Sequence, residues 1–164
     1  MTTKETPFYK FITENFKPGL KILELGSGSG TKLLSEFYTM YSIEDESSYI
    51  NSQPSTYFYA PYKSYDNVWT APDGIPEQNG WYDPSYLINL PTDYDLILVD
   101  GPNGMKGRAG FLKHLDLFKT NIPIIFDDIY RKPEMLLMEK VVATLNKTFD
   151  IYWVNGHPRV GCIR

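Results

Sequence analysis

The sequence predicts an α/β fold, a doubly wound and mostly parallel sheet of about seven strands that ends in an antiparallel hairpin strand. Three observations carry this. Short apolar runs alternate with helical stripes along most of the 164 residues. An acid-ended strand runs directly into a glycine-rich turn and a helix near residues 21–37. The last two strand candidates are separated only by Gly156-His157-Pro158, too few residues for a parallel crossover.

Each element follows from its own residues. Thr6 is a helix cap and Pro7 occupies the first helical position; Phe8, Phe11, Ile12 and Phe16 share one face before Pro18-Gly19 stops the helix. Strands are expected at 21–25, 39–44, 56–60, 95–100, 122–127, 149–155 and 159–163, several as continuous apolar runs suited to a sheet covered on both faces. Helices are expected at 31–37, at 110–119 with Phe111, Leu115 and Phe118 as its stripe, and at 134–146, opened by Pro133, with Leu137, Val141 and Leu145. Asp45 and Glu46 read as the solvated first turn of a helix running through Ile50, where acids favour the dipole. Residues 61–94 do not fit this alternation: they are long, rich in proline and glycine, and crowded by Tyr62, Tyr65, Trp69, Trp81, Tyr82 and Tyr86. The segment starts at a strand's carboxyl end, where open sheets bind ligands, and is expected to be a lid or an aromatic platform for an apolar or ring-shaped substrate.

Composition narrows the class. With 42% apolar residues the chain can bury one good core, and a single domain over residues 1–164 is expected. A net charge of −4 and no run of Lys or Arg argue against general nucleic-acid binding. The lone Cys162 lies in an apolar run and reads as a buried, inert thiol. No leader and no apolar stretch near 18 residues is present, so the cytoplasm is the expected location, with no membrane partner. Oligomeric state is not set by the sequence.

The turn Glu24-Leu25-Gly26-Ser27-Gly28-Ser29-Gly30 carries the functional signal. A dinucleotide fingerprint requires glycine at 31, where Thr31 stands; a Walker loop requires glycine directly before lysine, and Lys32 follows Thr31. What remains resembles motif I of the class I S-adenosylmethionine-dependent methyltransferases, E/D-x-G-x-G-x-G, position by position. The resemblance implies a Rossmann-like domain and S-adenosylmethionine as cofactor, with Glu24, Gly26, Ser27, Gly28, Gly30 and Thr31 lining its site. Glu44 ends the second strand 18 residues after Gly26, about where nucleotide folds place the acid that accepts both ribose hydroxyls. Asp45 and Glu46 are adjacent and stand as its substitutes.

Acids end two more strands. Asp100 follows Leu96-Ile97-Leu98-Val99, and Asp127 and Asp128 follow Ile124-Ile125-Phe126. Three carboxylates at one crevice suit hydrogen-bond anchors, a base, or a hard divalent cation such as magnesium or manganese. Catechol-type O-methyltransferases are similar here. Tyr59-Ala60-Pro61-Tyr62-Lys63, Trp81-Tyr82-Asp83, Asp95 to Pro102 with Gly107-Arg108, and Phe126 to Glu134 also resemble a branch of small class I methyltransferases that includes plant polysaccharide O-methyltransferase domains, over roughly residues 20–146. Within it the implied acceptor is a sugar or uronic acid hydroxyl or carboxyl. Asp100, Asp128 and His157 are the candidate bases, His157 because its turn belongs at the carboxyl-end rim. His114 is expected on a solvated helical face, and Arg108 either pairs with an anionic acceptor group or with a surface acid. The expected function is therefore methyl transfer from S-adenosylmethionine, O-directed, to a small hydroxylated acceptor such as a carbohydrate. A cofactor-binding protein without transferase activity, a sensor or degenerate paralogue, is the alternative; it needs the glycine turn and Glu44 but not poised strand-end acids.

Overall fold

The computed structural model describes residues 6–164. Helix α1 (Pro7–Asn15) precedes β1 (Lys21–Leu25), α2 (Ser29–Leu34), β2 (Thr39–Glu44) and β3 (Thr56–Tyr59). After the short strands β4 (Tyr62–Ser64) and β5 (Gly80–Tyr82) come β6 (Leu96–Val99), α3 (Gly110–Lys113), β7 (Ile124–Asp127), α4 (Lys132–Leu145), β8 (Phe149–Val154) and β9 (His157–Ile163).

Seven strands form one sheet in the order β3-β2-β1-β6-β7-β9-β8, while β4 and β5 pair by themselves. The pairs from β3 to β7 are parallel; β9 runs antiparallel to β8, as the two-residue turn Asn155-Gly156 requires, and antiparallel to β7 as well. Alternation along the central strands explains why they read as continuous apolar runs. Ile22, Leu96, Leu98, Ile125 and Cys162 face a core closed by Phe8, Phe11 and Ile12 of α1 and Leu34 of α2. Leu23, Leu25, Ile97, Val99, Ile124 and Phe126 face the opposite core, closed by Phe111, Leu137, Met138, Val141 and the 61–94 segment. Both faces are covered, so both parities are apolar. Among the described residues no helix is long and apolar enough to cross a membrane.

Three expectations change. The helix expected at 110–119 is one turn, α3, followed by a 3₁₀ turn at Leu115–Leu117, because His114 leaves helical geometry at φ −119° and ψ 31°. That displacement takes His114 off a solvated face: its ring stacks on Trp81 at 5.4 Å with planes 7° apart, and its Nε2 accepts a hydrogen bond from Trp69 Nε1 at 3.1 Å. Burial lowers the pKa of the imidazole, which suits a neutral ring that must accept. The helix expected from Asp45 through Ile50 is only a 3₁₀ turn at Ser47–Tyr49. Residues 61–94 are not an open aromatic platform: Trp81 and Tyr82 are fully buried, and Trp69 packs half-buried against Tyr65. Trp81 lies so close to Gly110 that a Cβ there would meet its Cγ at 2.2 Å. Tyr86, at 55% exposure, and Tyr59, at 43%, remain as the open aromatic pair.

Candidate functional site

The sheet reverses direction of winding between β1 and β6, and the carboxyl ends of β1, β2, β6 and β7 bring the predicted acids to one crevice. At its centre two backbones nearly touch. Gly26 adopts φ +86°, and a Cβ on it would lie 2.9 Å from Gly101 Cα, so a side chain is excluded by conformation and by space. Gly30 is needed for a different reason: a Cβ there would come within 2.4 Å of the Phe8 ring. Gly28 has nothing within 4 Å of such a Cβ and faces open space.

Thr31 explains why the third glycine of a dinucleotide fingerprint is absent. Its Oγ1 accepts from Gly28 N at 3.0 Å and donates to Glu24 Oε1 at 2.6 Å, closing the loop over the helix start. Ser42 Oγ donates to the same oxygen at 2.6 Å. Burial pushes the Glu24 carboxyl up to about 7, against the pull of these two hydrogen bonds. Glu24 therefore knits β1, β2 and the turn together while bordering a cavity of about 140 Å³ with Gly28, Ser29, Gly30, Thr31 and Asp100.

A larger cavity of about 410 Å³ lies on the other side of the turn, among Gly26, Ser27, Glu44, Asp45, Tyr49 and the 100–106 loop. Glu44 is buried at its edge with all four acceptor positions used: Oε2 takes Ser27 N at 3.0 Å and Ser27 Oγ at 2.8 Å, and Oε1 takes Asp45 N at 3.0 Å and Glu46 N at 3.1 Å. A diol reaching Glu44 must displace the Ser27 hydroxyl, the one donor among these that can rotate away. Asp45 is not solvated as expected; Lys106 covers it in an ion pair and reaches Glu46 at 2.6 Å. No local pattern announced Lys106, whose partners lie about 60 residues away.

The three strand-end acids do meet. Asp100, Asp127 and Asp128 each offer an oxygen, all within 4.8 Å of one another. Arg108 neutralises part of this charge from inside the protein, paired with two acids of the crevice rather than with a surface acid. Its Nη2 lies 3.4 Å from Asp100 Oδ1 and 3.2 Å from Asp128 Oδ2, while Nε and Nη1 donate to the carbonyls of Pro102 and Asp127. Burial first, then the neighbouring Asp127 carboxylate, holds the Asp100 carboxyl above its usual range; burial and Asp128 raise Asp127 to about 6. Asp127 Oδ1 is buried with no hydrogen-bond partner. His157 is exposed at the start of β9, opposite Val154 on the edge hairpin, and borders neither cavity.

No protein-family model and no curated protein matches the chain. Solved structures do. Precorrin-6y C5,15-methyltransferase from Geobacter metallireducens GS-15 aligns with a TM-score of 0.59 at 16% identity, over 99% of this chain and 88% of that one. SAH-bound Podospora anserina methyltransferase PaMTH1 aligns with a TM-score of 0.55 at 19% identity, over 96% and 76% of the two chains. MycE methyltransferase from the mycinamycin biosynthetic pathway, in complex with Mg and SAH, gives 0.55 at 12% identity, over 96% of this chain and 46% of the longer one. The sheet with its antiparallel hairpin, found here from the residues upward, is thus the Rossmann-like fold of class I S-adenosylmethionine-dependent methyltransferases.

Proposed function

We propose that this chain is an S-adenosylmethionine-dependent methyltransferase that methylates oxygen on a small hydroxylated acceptor such as a sugar. The observation that carries the reading is the pair of cavities on either side of the Gly26–Gly28 turn, both bordered by Asp100 and with Glu44 at the far edge. Neighbours solved with SAH support the cofactor class. The residues suit that molecule: Gly28 leaves room for close backbone approach, and Glu44 is a diol acceptor once Ser27 turns.

When bound, S-adenosylmethionine supplies a methyl group on a cationic sulfur. The chain must then align an acceptor hydroxyl, shed its proton and keep water out. Asp100 and Asp128 are the bases in this reading: one of these carboxylates would take the proton that the acceptor hydroxyl sheds as it becomes methylated. Arg108 holds both acids in position, and burial together with the neighbouring Asp127 carboxylate makes Asp100 hold a proton more tightly than an ordinary carboxyl. His157, exposed on the β8–β9 hairpin, lines neither cavity and is given no role in this reading. A divalent cation, magnesium or manganese, belongs to the reading because the donors are all hard oxygens and Asp127 Oδ1 lacks a partner; the cation would share Asp100 and Asp128 with Arg108. Tyr49, 50% exposed in the lining of the larger cavity, is an aromatic face open at this rim, which the buried Trp81 is not.

Titration calorimetry tests the cofactor. S-adenosylmethionine and S-adenosylhomocysteine should bind and NAD should not, and Gly28→Val should abolish binding in a folded protein because its side chain enters the open space beside the turn. Equal binding of NAD, or none of either thioether or sulfonium, would sink the assignment. Transfer of labelled methyl to a panel of sugars and phenols separates an enzyme from a binding protein that lacks transfer.

A further inference from the structure

Lys106 crosses the larger cavity from one wall to the other. It arises from the loop after β6, and its ammonium pairs with Asp45 and with Glu46, at 2.6 Å, on the turn after β2. All three residues line the same cavity. The lysine is held on a third side: its backbone oxygen accepts from Asn79 N at 3.1 Å and Gly80 N at 3.2 Å, and its ammonium sits 5.3 Å from the Tyr62 ring centroid. Asp45 is thereby left with a side chain only 5% exposed, and Lys106 itself with 26%.

Resting on the cofactor reading above, we propose that Lys106 is a positioning residue that latches the nucleoside end of the cavity, so that cofactor enters and leaves only as its ion pairs with Asp45 and Glu46 part. The backbone N–H groups of Asp45 and Glu46 are the donors that fix Glu44 Oε1. Glu44 Oε1 is thus held by main-chain donors that stay in place when the side-chain tie parts, so the tie bears on passage rather than on the acid that meets the ribose. The charges facing Lys106 are Asp45, Glu46 and, behind them, Glu44; a two-carboxylate tie of this exposure is weakened by salt and by removal of either partner.

A latch has a kinetic signature that a direct ligand lacks. Loss of a latch speeds passage in both directions, whereas loss of a direct contact speeds departure alone. Surface plasmon resonance with the full chain and S-adenosylhomocysteine reads this. Lys106→Met should raise kon and koff together by about three- to ten-fold with little change in Kd; Glu46→Gln should fall between, and Lys106→Arg should keep wild-type rates. Added potassium chloride should speed both rates in the wild type and not in Lys106→Met. A rise in koff alone makes Lys106 a direct contact and overturns the latch, as do unchanged rates in folded Lys106→Met and Glu46→Gln. Should the wild type and all variants fail to bind, the cofactor reading falls and takes the latch with it.

Discussion

Glu24 is an acid in surroundings that disfavour its charge, and its pH dependence follows from that. Between its ordinary 4.5 and about 7 the folded chain keeps a proton on Glu24 that the unfolded chain has released. Folding then binds a proton, so stability falls as pH rises through this window and the loss is complete above it. Glu24→Gln retains an acceptor for Thr31 and Ser42 but cannot titrate. Its stability relative to wild type should increase by roughly 3 kcal/mol between acid and mildly alkaline pH, read from urea denaturation series; a constant difference across pH would show that Glu24 stays ionised. At this scale the sequence was partly legible. Glu24, Glu44 and the strand-end acids were marked by their places at strand ends. The roles of Gly30 and Thr31 were not, since Phe8 from α1 demands the first and the loop's own hydrogen bonds demand the second. Lys106 left no trace at all, because an ion pair spanning about 60 residues has no spacing to recognise.

At the scale of elements, the strands were readable because the sheet is covered on both faces and their apolar runs are unbroken; β1 and β2 have the expected bounds. Segment 61–94 was not readable. Aromatic residues there satisfy both a platform and a core, and the choice was made by distant contacts, with Trp81 pressed on Gly110 and His114. The consequence is testable. Trp81→Ala should cost about 3 to 5 kcal/mol of unfolding free energy by equilibrium denaturation, the range for emptying a buried aromatic site. Trp69→Ala, half-buried at the surface of the same cluster, should cost clearly less. Equal and small losses would restore the open platform. α3 is short for a related reason: the chain gives up helical hydrogen bonds at His114 in exchange for a stack and a side-chain bond that only the folded 61–94 segment offers.

For the whole molecule, the strand order is what makes a site from residues scattered between 24 and 128. Winding in opposite senses from β1 and β6 opens a crevice where four strand ends converge, and the fold class was legible from the alternation, the glycine-rich turn after β1 and the short final connection. The sequence also placed three acids there, but not the arginine inside them, since Arg108 lies on a loop without periodicity. With Arg108 contributing one positive charge against three carboxylates, the cluster keeps a deficit that a cation can fill. Excess magnesium or manganese should raise the melting temperature of the wild type and raise that of Asp128→Asn much less, by the linkage between binding and folding. Identical melting with metal and with chelator would leave the acids as base and anchor.

The indole and imidazole contacts around α3 also give the protein an optical property. Of its three tryptophans, Trp69 and Trp81 both touch His114, while Trp153 stands 57% exposed on the β8 edge of the sheet. A protonated imidazole quenches indole emission through electron transfer, and the Trp69 hydrogen bond is lost when Nε2 gains a proton. Acidification should therefore dim two emitters at once, below the ordinary histidine range, and leave the third as an internal reference. In a Trp153→Phe background the remaining light would come only from the 61–94 segment. Its docking on the sheet could then be followed in solution without any added label.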